Sequence, residues 1–192
     1  MYHQTDLIEH VQKVLPSIGK LAVNQIDGLR PAAVLLLLVK IDKQWNLLFI
    51  HRAEIGEMHR GEVAFPGGAK EGYDRDLVET ALRESQEEIG INPERVKVLG
   101  FLPSLNTVSR YLVTPIVGTV TWPFEIQQNW QEVERVFTIP LEWLANVDHW
   151  QEVERDLSNR GKVRVIDYQE YDGEHLWGVT ARITKFFLEL IK

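Results

Sequence analysis

Three glutamates in one short stretch are the residues of this chain best suited to chemistry. Glu84, Glu87 and Glu88 follow Arg83, and a helix is predicted over residues 78–90. At helical spacing Glu84 lies near both other glutamates, so the three carboxylates cluster and repel one another. Arg83 is the one cation in this turn region of the sequence. A hard divalent cation such as Mg²⁺ prefers oxygen ligands and would neutralise the cluster.

A solvated acidic helix face is the alternative, and it is the usual meaning of a run of glutamates. The apolar positions of the same helix predict a core-facing stripe formed by Val78, Leu82, Ser85 and Ile89. The glycine pair Gly67-Gly68, at a fixed distance ahead of the helix, favours the functional interpretation.

Residues 83–91 resemble the second half of the Nudix box, R-E-U-x-E-E-x-G-U, in which U is aliphatic. Ser85 stands where the family usually has an aliphatic residue. The front half of the family pattern, G-x5-E-x7, is met with two departures. Asp74 replaces the glutamate, and eight residues rather than seven separate it from Arg83. The resemblance places the box at residues 68–91.

The resemblance implies both a fold and a reaction. Nudix enzymes have an α/β fold, an α/β/α sandwich with a mixed β-sheet between helices, and they hydrolyse diphosphates linked to another moiety. The three glutamates match the family's ligands for Mg²⁺ or Mn²⁺. Arg83 matches the arginine that orients one of them by a salt bridge, and a carbonyl of the Gly67-Gly68 turn matches the backbone ligand.

The box does not supply a general base, and family members often take one from an acid outside it. Glu132 and Glu134 are our candidates, and either would need to lie within hydrogen-bond reach of the attacking water. The alternative for each is an exposed position on a strand.

A second resemblance lies just ahead of the box. The coenzyme A pyrophosphatase branch of the family has a signature close to L-L-T-x-R-[SA]-x3-R-x3-G-x3-F-P-G-G. Residues 48–68 match its spacing throughout, and Arg52 and Ala53 match by type. Ile50 replaces the threonine, and Glu57 replaces the second arginine. The implied reaction cleaves coenzyme A or a derivative to 3′,5′-ADP and 4′-phosphopantetheine.

Three cations near the glycine pair are candidates for binding substrate phosphates. Arg52, His59 and Arg60 precede the pair, and arginine forms forked hydrogen bonds to phosphate oxygens. Surface pairing with neighbouring glutamates is the alternative for all three.

Two other functions fit the same motifs. One is hydrolysis of another nucleoside diphosphate derivative, such as ADP-ribose or a dinucleotide. The other is a catalytically silent Nudix-like module that binds a nucleotide or a partner. The complete set of three glutamates argues against the silent module.

Composition narrows the class of protein. The chain has 192 residues, is 44% hydrophobic, and is interpreted as a single domain over residues 1–192. Its net charge of −7 disfavours nucleic-acid binding, and the absence of cysteine excludes disulfides and thiol nucleophiles. Residues 32–39 form the longest apolar run, far below the roughly 18 residues of a membrane span. We expect a cytoplasmic protein acting on a small nucleotide-diphosphate substrate, with its oligomeric state left open.

Hydrophobic periodicity and turn residues predict the remaining elements. They are a helix over 5–15, strands over 31–39, 47–50, 95–102, 111–120 and 132–141, a hairpin of 149–157 with 162–171, and a C-terminal helix. Pro115 lies inside the fourth of these strands, which favours an edge position or a bulge there.

Overall fold

The computed structural model describes residues 4–21, 26–53, 61–157 and 161–192. The α-helices in these ranges are α1 (Gln4–Val14), α2 (Leu77–Ile89), α3 (Leu141–Ala145) and α4 (Gly178–Leu190). The strands are β1 (Arg30–Ile41), β2 (Gln44–Arg52), β3 (Val63–Ala64), β4 (Gly67–Ala69), β5 (Lys97–Phe101), β6 (Leu105–Asn106), β7 (Tyr111–Thr119), β8 (Val133–Pro140), β9 (Trp150–Leu157) and β10 (Gly161–Tyr168). Each predicted element is present, with ends shifted by a few residues. None of the helices in the described ranges has the length and apolar character needed to cross a membrane.

Eight of these strands form one mixed sheet. Its order is β3-β2-β1-β7-β5, with β4 paired to β1, β6 paired to β7 and β8 paired to β2. β1 and β7 run parallel, whereas the other neighbours run antiparallel. β9 and β10 form the separate, predicted hairpin.

Helices cover both faces of the large sheet. One apolar cluster joins α2 to one face of β1, through residues such as Leu35 and Leu37. The other cluster joins α1, α3 and α4 to the opposite face, through residues such as Leu36 and Leu38. Because both faces of β1 are buried, its sequence is a continuous apolar run rather than an alternating one. The predicted α/β/α sandwich is confirmed.

The buried face of α2 differs from the predicted stripe. Val78 and Leu82 are only partly buried, whereas Ala81 and Glu88 are fully enclosed together with Ser85. The hydroxyl of Ser85 donates to the carbonyl of Ala81 at 2.6 Å, so this polar group is satisfied inside the helix. The small residues Ala81 and Ser85 lie at the centre of the buried side of α2, and Glu88 lies on that same side.

Pro115 lies in the interior of the sheet, so the edge position, one of the two predicted alternatives, is wrong. The other alternative was a bulge, and the pairing of β5 with β7 has an irregularity between Val98 and Gly100. β7 has β1 on one side and both β5 and β6 on the other. The Pro115 carbonyl accepts a hydrogen bond from the N–H of Leu102, in the segment between β5 and β6. The nitrogen of a strand residue points to the same side as its carbonyl, so the missing N–H of Pro115 falls where the ladder is already interrupted.

β1 and β2 separate at one end, and the short strands β3 and β4 fill the opening. β4 pairs with residues 32–34 of β1, and β3 pairs with residues 50–51 of β2. Gly67 begins β4 with φ of +149°, and a Cβ atom there would lie 2.3 Å from the carbonyl oxygen of Ala33. Only glycine allows the two backbones to approach this closely.

Replacing Gly67 by alanine should therefore destabilise the fold. We expect the free energy of unfolding to fall by about 2 kcal/mol or more, because the new methyl group meets rigid backbone in a strained conformation. Urea denaturation measures the change. Gly72→Ala is the control, since a Cβ there meets nothing within 4 Å and stability should be retained. Equal stability of both variants would contradict the packing described.

Candidate active site

Arg83 connects the acidic side chains of α2 to the loop before the helix. Its Nε donates to Oδ1 of Asp74 at 2.9 Å, and its Nη2 donates to Oδ2 of the same carboxylate at 3.0 Å. The guanidinium also lies 2.9 Å from Oε1 of Glu84 and 3.1 Å from Oε2 of Glu87. A fifth contact goes to the carbonyl of Ala69, at 3.2 Å. One planar cation thus fixes two of the three glutamates.

Asp74 holds Arg83 in place and is itself buried. Its Oδ2 also accepts from the N–H of Glu71 at 2.9 Å and from the hydroxyl of Thr80 at 3.0 Å. The hydrogen bonds from Arg83, and then those from the other donors, lower the pKa of Asp74 to about 2 against the opposing effect of burial. In the sequence, Asp74 stands out only as a departure from the box. Its position six residues after Gly68, where the family pattern has a glutamate, was the signal that marks its role.

Glu88 is the inward-pointing glutamate and is only 2% exposed. Its Oε2 accepts from the N–H of Gly67 at 2.8 Å, and its Oε1 lies 3.6 Å from Nη2 of Arg52. Burial raises the pKa of Glu88 to about 7, and the charges of Glu84 and Glu132 raise it further, although Arg52 and the Gly67 N–H oppose them.

Glu84 lies against the second glycine of the pair. A Cβ atom on Gly68 would come within 2.5 Å of the Glu84 carboxylate, so this glycine leaves room for the charge. Burial raises the pKa of Glu84, Arg83 lowers it, and Glu87 and Glu132 raise it again. Glu87 is the most exposed of the three, with 54% of its side chain accessible.

The two candidate bases lie in different surroundings. Glu132 raises the pKa of both Glu84 and Glu88, which places its charge near the glutamates of α2. Its backbone is held by Asn129, whose own N–H donates to the carbonyl of Glu88 at 2.9 Å. By contrast, the Glu134 carboxylate lies 3.9 Å from Nε2 of His51.

Of the three candidate phosphate-binding cations, the structure locates one. Nη2 of Arg52 donates to the carbonyl of Gly67 at 3.1 Å, beside Glu88. His59 and Arg60 lie outside the described residues, as does Glu57 of the branch signature.

Two aromatic side chains near the site are largely exposed. Trp130 follows Asn129 in the loop before Glu132 and is 74% exposed. Tyr73 is 71% exposed, and its ring lies 5.5 Å from the guanidinium carbon of Arg83. Either ring could stack on a planar group of a substrate at this face.

The donor chemistry of the site suits a hard divalent cation. Glu84, Glu88 and the Gly67 carbonyl offer only oxygen atoms, which a hard cation prefers. Burial is the main cause of the raised pKa values of both glutamates, and the neighbouring carboxylates add to it. Arg83 and Arg52 occupy part of this donor set. Within the described ranges, no three His, Cys, Asp or Glu side chains are already gathered as a metal-ligand group. Binding an ion would therefore require side chains such as Glu87 to reorient.

A comparison with family models matches the NUDIX domain over residues 29–159. The chain belongs to the Nudix family. It is 36% identical over 183 residues to a protein named uncharacterized Nudix hydrolase NudL from Photorhabdus laumondii, covering 95% of each chain. It is 37% identical over 178 residues to the protein of the same name from Pectobacterium atrosepticum, covering 93% of this chain and 89% of that one. The chain is thus a Nudix hydrolase, of a family that acts on diphosphates and generally uses divalent metal ions.

Solved structures show the same fold at low sequence identity. The Nudix hydrolase RenU from M. smegmatis matches with a TM-score of 0.52 at 20% identity, over 64% of this chain and 77% of that one. A MutT/nudix family protein from Enterococcus faecalis matches with a TM-score of 0.52 at 14% identity, over 98% of this chain and 73% of that one.

Replacing Asp74 by asparagine should remove the charge that holds Arg83. A pKa lowered from 3.8 to about 2 corresponds to about 2 kcal/mol of stability at pH 7. Because the folded-state pKa is the lower one, this contribution is complete above about pH 4 and is lost as the pH falls through about 2.

Urea unfolding at neutral and at acidic pH measures this difference. Asp74→Asn should be less stable than the parent protein at pH 7, and the gap should close near pH 2. Asp156→Asn, at an exposed position on β9, should match the parent at both pH values. A gap for Asp74→Asn that does not change with pH would contradict the role of its ionised form.

Proposed function

We propose that this Nudix hydrolase is a Mg²⁺- or Mn²⁺-dependent pyrophosphohydrolase acting on coenzyme A or a coenzyme A derivative. The products would be 3′,5′-ADP and 4′-phosphopantetheine. The supporting observation is the group of carboxylates around the glycine pair. Glu88 is buried beside Gly67, Glu84 lies against Gly68, and Glu132 adds negative charge to both.

Glu84, Glu87, Glu88 and the Gly67 carbonyl would hold the ion. A bound divalent cation would neutralise charge that develops on the diphosphate and would make a water molecule more acidic. Arg83 holds the carboxylates of Glu84 and Glu87, and Asp74 holds Arg83 in place. The N–H of Gly67 fixes Oε2 of Glu88, while Oε1, which lies 3.6 Å from Nη2 of Arg52, would be the ligand atom.

Arg52 is the chain's phosphate-binding candidate in this proposal. Its guanidinium lies between the Gly67 carbonyl and Glu88, where remaining N–H groups can donate to an anionic substrate. Hydrogen bonds to phosphate from a planar guanidinium orient the group as well as bind it.

The match to the coenzyme A branch supports the choice of substrate. The spacing of residues 48–68 agrees with the branch signature, from which the chain departs at Ile50 and Glu57. The departure at Ile50 affects core packing. Ile50 is completely buried in β2, where its partners are Ala64 and Val136. An isoleucine in place of threonine there changes the core rather than a ligand contact.

Glu132 is the proposed general base. It lies in the loop before β8, whose Asn129 is tied to the end of α2, and its charge acts on both Glu84 and Glu88. A carboxylate in this position could accept a proton from the attacking water.

Turnover of a panel of diphosphates tests the proposal. With Mg²⁺ or Mn²⁺, coenzyme A should be cleaved with a higher kcat/KM than ADP-ribose or diadenosine polyphosphates, and chelation should abolish activity. Preference for another diphosphate would overturn the substrate, and no turnover of any of them would overturn the enzyme. Product chromatography identifies which bond is cut.

The variant Glu88→Gln should lower kcat by about two orders of magnitude or more, since a charged group acting on the reacting centre is lost. Thermal unfolding should show that the fold is retained. Glu94→Gln, at an exposed position after α2, is the matched control and should keep parental activity. Near-normal turnover of Glu88→Gln would contradict the assignment of Glu88 as a metal ligand.

A matched pair separates the two candidate bases. Glu132→Gln should lower kcat by about 10²-fold or more, because the group that accepts the proton of the attacking water is lost. Glu134→Gln makes the same chemical change beside His51 and should leave kcat close to the parent value. The opposite pattern would assign the base to Glu134.

A further inference from the structure

A cationic cleft lies at the end of the sheet remote from the glutamates of α2. Its volume is about 510 Å³, within the range of small-ligand sites. Four cationic side chains and two indoles contribute to its lining: Lys40, Lys43, Arg95, Lys97, Trp45 and Trp122. The lining includes no carboxylate among the residues that the structure describes. The chain as a whole has a net charge of −7, so this cleft is opposite in sign to the overall charge.

Strand register brings several of these side chains to one face. Lys40 of β1 pairs with Trp45 of β2, and Lys97 of β5 pairs with Thr119 of β7. Thr119 also pairs with Leu38, which lies two residues before Lys40 and therefore shares its face. Cross-strand partners point to the same side, so two lysines and an indole line one surface across four strands.

Helix α1 and an indole contact help to shape this surface. Ile8 of α1 lines the cleft, and Nζ of Lys97 donates to Oε1 of Gln12 at 3.4 Å. The ammonium of Lys40 lies 5.5 Å from the centre of the Trp45 ring. The cleft therefore has a helical wall, an aromatic wall and cations on several sides.

This cleft is separate from the proposed active site. The glycine pair lies beside residues 32–34 of β1, whereas Lys40 is near the other end of that strand. Lys40 lies six positions after Val34, which corresponds to about 20 Å of extended strand.

We propose that the cleft is a second binding site, for a small phosphorylated molecule that also carries a planar ring, that is, a nucleotide. Lysine and arginine side chains supply charge-assisted hydrogen bonds to phosphate, and an indole supplies a surface on which a base can stack. Neither feature depends on a metal ion. Nucleotide binding here is therefore independent of catalysis at the glutamates.

ADP binding to the intact chain in the presence of EDTA tests this site, because chelation removes the ion that the active site is proposed to need. Calorimetry should detect saturable binding. Lys40→Gln/Lys97→Gln should weaken it by about tenfold or more, since two charged donors are lost. Lys162→Gln/Arg164→Gln, on β10, removes the same charge from exposed positions elsewhere and should bind as the parent does.

Two smaller probes test the nucleotide assignment. Pyrophosphate carries the phosphates without a ring, and adenosine carries the ring without phosphate, so both should bind more weakly than ADP. Pyrophosphate binding as tight as that of ADP would overturn the assignment.

The result remains interpretable if one variant fails to fold. Lys43→Gln/Arg95→Gln changes two exposed side chains of the same cleft and should also weaken binding. Absence of ADP binding at about 1 mM in EDTA, or equal affinity of the cleft variants and the β10 control, would overturn the proposal.

Discussion

The forked contact between Arg83 and Asp74 fixes the acidic side of α2. Without an anchored guanidinium, Glu84 and Glu87 would repel each other on neighbouring turns of the helix. Arg83 reaches both, while its own position is set by a buried carboxylate with several donors. The geometry of the site therefore depends on Asp74, a buried residue that holds Arg83.

The separation of β1 from β2 provides the other constraint. β4 fills the opening, and Gly67 brings its backbone against β1 closely enough to exclude any side chain. The N–H of Gly67 then meets Glu88, while Gly68 leaves space for Glu84. The two glycines thus have different reasons to be glycine, one set by backbone packing and the other by a neighbouring carboxylate.

Periodicity was sufficient for most elements and insufficient for two features of the core. Pro115 indicated an edge strand or a bulge, and an interruption between β5 and β6 accommodates its missing N–H within the sheet. The apolar residues of α2 indicated a stripe through Val78 and Leu82, whereas small residues at 81 and 85 decide which side packs. The position of Pro115 in the sheet and the buried side of α2 both depend on which strands lie alongside. Hydrophobic periodicity within one segment carries no information about those neighbours.

The sequence by itself determined the family, the order of the elements and the candidate glutamates, because these depend on residue types at short, fixed spacings. Tertiary structure decided which acids lie near one another. It buried Glu88, tied Asp74 to Arg83, and set Glu132 apart from Glu134 although only one residue separates them. It also gathered lysines from β1 and β5 into one cleft. Such groupings follow from strand order and from which side of a helix packs, and these are properties of the folded chain as a whole.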